Sequence, residues 1–247
     1  MKRAIITGAS SGIGFHLARE LSRRGWALAL LARRADLIEG LARELPHAAA
    51  ITCDVTDAAA VRDAVQRAGG PFDLAVANAG VSIPGHATKF NLADAEQIVR
   101  VNLLGMLYLF DAVIPSMIER RSGRFAGVAS LAGLRGLPTA ATYSATKAAM
   151  QAFLEASRVE LKPYGVGVTI VNPGFVATPM TEKAKFNMPF LVQPEKAARV
   201  IADGLERGKR VIEFPRPMSL FMRLVRNIPD PLYERIMLPA ARRKVKV

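Results

Sequence analysis

The feature that most limits the fold is a glycine-rich turn between a short apolar run and a helical pattern. Residues 4–7 read as a strand, and Thr7-Gly8-Ala9-Ser10-Ser11-Gly12-Ile13-Gly14 leads into a helix starting at Ile13. Glycines there permit a tight turn and close approach of a pyrophosphate, and the helix N-terminus adds unpaired N–H groups and a favourable dipole. The spacing is G-x-x-x-G-x-G, not the common dinucleotide fingerprint G-x-G-x-x-G. It lacks the Gly-Lys-Ser/Thr of an ATP-type phosphate loop.

The same alternation continues down the chain. Strands are predicted at residues 4–7, 27–32, 49–53, 74–77, 125–129, 166–171 and 210–214. Helices are predicted at residues 13–24, 36–45, 57–68, 93–120, 141–161 and 195–207, with Asp36 as an N-cap and Pro115 bending or resetting the long helix. Strands that are continuously apolar are buried on both faces. The pattern therefore predicts a single α/β domain, a doubly wound Rossmann-type parallel sheet with helices on both faces. Ligands on such sheets bind at the carboxyl ends of the strands. With 247 residues, 51% hydrophobic and 22% charged, the chain has the core for one such sheet, and wholesale disorder is excluded. The expected organisation is a domain over residues 1–215, with a substrate loop at 175–195, and a helical extension over 216–247.

Other chemistries find little support. One cysteine, Cys53, allows no intramolecular disulfide and no Cys-based zinc cluster. His16, His47 and His86 are scattered, so no metal site is expected. No G-x-S-x-G nucleophile elbow is present. Aromatics are 6%, too few for a stacking nucleic-acid groove. The charged start loses its signal-peptide look at Gly8, Ser10, Ser11, Gly12 and Gly14, which predicts a cytoplasmic protein. The longest uncharged run, residues 164–181, contains Asn172-Pro173-Gly174 and Pro179 and reads as strand and loop.

At the end of the second strand stand Ala32-Arg33-Arg34, with no carboxylate for a ribose 2′-hydroxyl. Two guanidiniums that fork onto phosphate favour NADP(H) over NAD(H). Tyr143 and Lys147 lie four apart on a predicted helix, hence on one face. A tyrosine with a pKa of ~10 is a poor acid–base group at neutral pH. A nearby ammonium lowers that value toward the optimum for proton transfer.

Taken together, these residues resemble the short-chain dehydrogenase/reductase family. The matching pieces are the Thr7–Gly14 turn, Asp54-Val55, Asn78-Ala79-Gly80, Asn102, Ser130, Tyr143-Ser144-Ala145-Thr146-Lys147, and Pro173-Gly174 with Thr178. The resemblance implies that Tyr143 exchanges the proton with the carbonyl oxygen and that Ser130 holds that oxygen. Lys147 would bind the nicotinamide ribose, and Asn102 would hold a water linking Lys147 to solvent. It further implies cofactor contacts from Gly8, Ser10, Ser11, Gly12, Ile13, Gly14, Arg33, Arg34, Asp54, Val55, Asn78, Ala79, Gly80, Pro173, Gly174, Val176 and Thr178. Asp54 would meet the adenine edge, and Asn78 would stabilise the central strands. A homo-oligomer, dimer or tetramer, is the family expectation.

The loop after Gly174 holds Phe175, Val176, Met180, Phe186, Met188, Phe190 and Leu191 with Lys183 and Lys185, and Ile83, Leu131, Leu134 and Leu137 are expected at the same cleft. Such a lining suits a lipophilic carbonyl or alcohol. The chain lacks the Val-Asp-Gly-Gly ending of many bacterial ketoacyl reductases of the family and continues past Pro215. Residues 207–247 hold eleven Lys/Arg against three acids, and so carry eight of the net charge of +13. The apolar stretch 218–228, the helix restarted at Asp230-Pro231 and the basic residues 241–247 fit either a cover over the cleft or a peripheral membrane contact. The expected function is NADP(H)-dependent interconversion of a carbonyl and an alcohol. The alternatives are a ketoacyl-thioester reductase on a carrier-bound substrate and a non-catalytic NADP(H) sensor.

Overall fold

A computed structural model describes residues 1–182 and 188–242. Lys183, Lys185, Phe186 and the basic residues 243–247 lie outside the described residues. The strands are β1 (Arg3–Thr7), β2 (Ala27–Ala32), β3 (Ala48–Thr52), β4 (Leu74–Ala77), β5 (Gly123–Val128), β6 (Val166–Pro173) and β7 (Val211–Phe214). They form one seven-stranded sheet in the order β3-β2-β1-β4-β5-β6-β7, with every neighbouring pair parallel. The seven apolar runs seen in the sequence are these seven strands, and the doubly wound sheet is as predicted.

Consecutive strand residues feed opposite layers because side chains alternate across a sheet. Ile6, Leu30, Val76 and Val171 face one core, which is closed by α1 (Gly12–Arg23), α2 (Ala35–Glu44) and α8 (Pro194–Glu206). Ile5, Leu31, Ala75 and Ile170 face the other, beneath α3 (Ala58–Arg67), α5 (Gly105–Glu119) and α6 (Ala141–Leu161), and α4 (Leu92–Val99) packs on α6. Arg24 ties α1 to α8 by binding Glu20 at 2.6 Å and Asp203 and Glu206 at 2.7 Å. The remaining helices are α7 (Pro179–Glu182), α9 (Arg216–Arg226) and α10 (Asp230–Ala241).

Two local readings are corrected. Asp36 is not the N-cap of α2. Arg34 holds that position without a side-chain bond, and Asp36 lies in the first turn, where its charge complements the helix dipole. The long helix predicted at residues 93–120 is interrupted at Arg100–Leu104 by one π-helical turn, while Pro115 sits inside α5 without ending it. The helical run Leu92–Glu119 is long and apolar enough to span a membrane by composition, but Ile98, Val101, Leu109, Val113 and Met117 are buried in this protein's own core.

The strand order reverses between β1 and β4, which opens a crevice at their carboxyl ends. Thr7, 2% exposed, closes the base of that crevice: its Oγ1 accepts from the backbone N–H groups of Asn78 and Ala79, both at 3.1 Å. Thr7→Val keeps the shape and removes the acceptor from two inward N–H groups. It should cost ~1–3 kcal/mol in urea unfolding, with an unchanged m-value.

Candidate active site

The Thr7–Gly14 turn leaves β1 at the reversal. Asn78 Nδ2 donates to the carbonyls of Thr7 at 3.0 Å and Gly8 at 3.2 Å. Gly8 has φ +68°, and a Cβ there would lie 2.8 Å from the Ala79 Cα. A Cβ on Gly14 would lie 2.4 Å from Asn78 Nδ2 and 2.5 Å from the Gly8 oxygen. The turn therefore tolerates no side chain at either position. Ile13 packs on the core beneath, and a Cβ on Gly12 would meet the Thr178 methyl at 3.2 Å.

Ser11 sits at the N-cap of α1 but makes no side-chain capping bond. Its hydroxyl instead accepts from Arg34 Nη2 at 2.7 Å, and Ser10 Oγ accepts from the same nitrogen at 2.8 Å. Arg33 points to Asp54 at 4.0 Å, and both are exposed. The other Asp54 oxygen accepts from the Thr56 N–H and hydroxyl at 2.9 Å. A shallow cavity of about 270 Å³ lies among Arg33, Asp54, Thr56, Arg100 and Val101. Val55 is buried against Gly105. A cradle closed to Cβ atoms, a helix N-terminus and a guanidinium at its edge fit the phosphates of a dinucleotide, including an extra phosphate at Arg34. Among the described residues, no group of His, Cys, Asp and Glu is arranged to hold a metal ion.

Asn102 lies on the π-helical turn and is fully buried. Its Oδ1 accepts from the Val81 N–H at 2.7 Å, and its Nδ2 donates to the Val81 carbonyl at 3.0 Å and Thr146 Oγ1 at 3.3 Å. The amide thus pins the segment after β4, which includes Gly80, to α6. Lys147 is 3% exposed. Its Nζ donates to the Val128 carbonyl at 2.8 Å and stands 5.6 Å from the centre of the Tyr143 ring. A Cβ on Gly80 would lie 3.3 Å from Asn102 Oδ1 and 3.6 Å from Lys147 Nζ, so the three groups meet at one point.

Ser130 Oγ accepts from the Ala132 N–H at 3.1 Å and donates to the Pro173 carbonyl at 3.4 Å. The Gly174 N–H donates to the Phe214 carbonyl at 2.7 Å, and Val176 is buried with a bridge to Val192.

Burial governs the electrostatics here. It pushes the Tyr143 phenol above its ordinary value, and a hydrogen bond with Ser130 partly offsets the rise. It also pushes the Lys147 ammonium down to about 7. Their i, i+4 spacing alone predicts that Lys147 lowers the Tyr143 pKa. In this geometry the lysine turns to the Val128 carbonyl and loses charge near neutral pH, so its pull on the phenol is weak.

Sequence reasoning missed a supporting network behind Ser130. Gln151 Nε2 donates to the Ser130 carbonyl at 2.7 Å and to Asn172 Oδ1 at 3.1 Å. Asn172 Nδ2 reaches Glu213 at 3.3 Å, and Glu213 is bound by Arg223 of α9 at 2.9 Å. Gln151 lies one turn beyond Lys147, the only hint in the sequence. The extension folds back over the same loop. Met218 and Met222 of α9 pack on Leu131, Leu134, Leu137 and Phe175. Arg135 pairs with Asp230 at 2.5 Å and stacks 4.4 Å from the Tyr233 ring centre. Of the two roles left open for the extension, covering this loop is the one the contacts display. Met180, Phe190 and Leu191 of the predicted substrate loop are exposed.

Comparison with known proteins gives consistent matches. The family model described as short chain dehydrogenase matches residues 2–188. An uncharacterized oxidoreductase of Myxococcus xanthus is 38% identical over 94% of this chain and 95% of its own. The ketoacyl reductase HetN of a Nostoc species is 33% identical over 83% of this chain and 75% of its own. The solved short-chain dehydrogenase of Sphingobium yanoikuyae in complex with NADPH superposes with a TM-score of 0.83 at 25% identity, covering 100% of this chain and 98% of that one.

The buried Lys147 has a signature in stability. Unfolding restores its ordinary affinity for a proton, so the unfolded state binds more protons between about pH 7 and 10.5. Stability from this group therefore rises with pH across that window, by ~1.4 kcal/mol per pH unit. Lys147→Met removes the charge. Its melting temperature relative to the parent should be most favourable near pH 6 and should fall back steadily by pH 9. A pH-independent difference would contradict the assignment.

Proposed function

The chain belongs to the short-chain dehydrogenase family, and from that premise we propose that it reduces a lipophilic ketone or aldehyde with NADPH, or runs the reverse oxidation. The observation that carries this reading is the convergence of Ser130, Tyr143 and Lys147, with an apolar cluster of Leu131, Leu134, Leu137, Phe175, Met218 and Met222 on the loop that follows Ser130.

NADPH, when bound, supplies the hydride. Ser130 Oγ holds the carbonyl oxygen, and Tyr143 gives it a proton. The raised phenol pKa keeps that proton in place through neutral pH. Lys147, with a value of about 7, takes the ribose hydroxyls and exchanges protons with the phenol side of the site. Asn102 holds Val81 and α6 in register. The Thr7–Gly14 turn would take the pyrophosphate, Asp54 the adenine, and Arg34, which already meets Ser10 and Ser11, a 2′-phosphate. The Sphingobium neighbour with NADPH supports this cofactor choice. The printed name of the Nostoc relative favours a narrower second reading, a ketoacyl thioester as the carbonyl.

The test is NADPH consumption with carbonyls of increasing chain length. Turnover should rise with length and fall on the order of 100-fold or more in Tyr143→Phe. Arg34→Glu should weaken NADPH binding ~10-fold or more, the worth of one charge-assisted bond, and leave NADH little changed. Preference for NADH in the parent would overturn the phosphate assignment. Because the phenol must be protonated to reduce and ionised to oxidise, reduction should hold through neutral pH and fall when alkaline, while oxidation rises with pH.

A further inference from the structure

Helix α9 has two apolar faces. Met218, Met222 and Val225 are buried against the protein, whereas Leu220, Phe221 and Leu224 are 63%, 58% and 71% exposed. Positions i, i+1 and i+4 fall on one outward stripe of a helix. On α10, Leu232 and Ile236 repeat the arrangement one turn apart and are 51% and 53% exposed. A stripe of this kind on a small soluble domain marks a binding face.

Charge selects the occupant. Arg216 and Arg226 are exposed on α9, as are Arg235 and Arg242 on α10, while Arg223 is paired with Glu213. Two of the three acids in this stretch are already engaged: Glu213 by Arg223 and Asp230 by Arg135. Residues 207–247 carry eleven Lys/Arg against three acids. A second copy of this chain would bring two positive faces together. An anionic bilayer offers opposite charge to the arginines and hydrocarbon to the leucines and phenylalanine.

We propose that the outward face of α9 and α10 docks on an anionic phospholipid surface. Leu220, Phe221 and Leu224 enter the acyl boundary, and the flanking arginines meet the headgroups. The opposite face of α9 covers the loop that follows Ser130, so the docked surface and the candidate active site are separated by one helix, ~10 Å across. A lipophilic substrate then has a short path from bilayer to cleft. The docking itself does not rest on the carbonyl-reducing reading, and each can fail without the other.

The experiment is flotation of the full chain with vesicles of phosphatidylcholine alone and of phosphatidylcholine with phosphatidylglycerol. The parent should float with the phosphatidylglycerol vesicles and on the order of tenfold less with phosphatidylcholine alone or at high salt. Leu220→Ser/Phe221→Ser/Leu224→Ser should lose flotation by a similar factor, with circular dichroism and NADPH binding unchanged. The proposal is overturned if the parent stays unbound at low salt, or if the triple variant floats as well as the parent. It is also overturned if light scattering shows a parent dimer that the triple variant breaks, which assigns the face to a second copy.

Discussion

Where β1 and β4 diverge, Thr7 and Asn78 hold the two strand ends together, and the rest of the site is built outward from that clip. Thr7 accepts from two successive N–H groups of the β4 exit, and Asn78 returns bonds to two successive carbonyls of the β1 exit. The crevice between these strands is where a doubly wound sheet leaves backbone ends unpaired. From the β4 exit the bonding continues through Val81 to Asn102, on to Thr146, and back to the Tyr143 carbonyl. The glycine turn, the Asn78–Val81 segment and α6 therefore share one buried polar framework, and such frameworks specify geometry when every member is satisfied.

Within that framework, desolvation shifts Tyr143 and Lys147 more than charge pairing does. A lysine and a tyrosine four apart on a helix suggest a simple ammonium–phenolate pair. Burial moves the two groups in opposite directions, the phenol up and the ammonium down to about 7, so their proton affinities separate and Lys147 becomes the weaker base of the two. In the proposed reaction that ordering keeps the proton on Tyr143 through neutral pH, while Lys147 titrates there.

The sheet was legible because parallel strands buried on both faces leave continuous apolar runs, and each of the seven runs became a strand. The glycine turn was legible because Gly8 and Gly14 answer to backbone contacts that exclude a Cβ. The π-helical turn that carries Asn102 was not, since residues 93–120 carry an unbroken helical pattern and the bonds from Asn102 to Val81 are tertiary. The path Gln151–Asn172–Glu213–Arg223 joins four elements across separations of 21, 41 and 10 residues, so no local pattern announces it. Composition left the extension with two roles. Placing Met218 and Met222 on Leu131 needed the tertiary fold.

The proposed hydride chemistry is tested most directly by following the label from NADPH deuterated at the transferring position into the product of a medium-chain ketone. The account predicts an alcohol with one deuterium on the former carbonyl carbon, formed by the parent and not by Tyr143→Phe. An alcohol without the label, or equal labelled product from Tyr143→Phe, would contradict it.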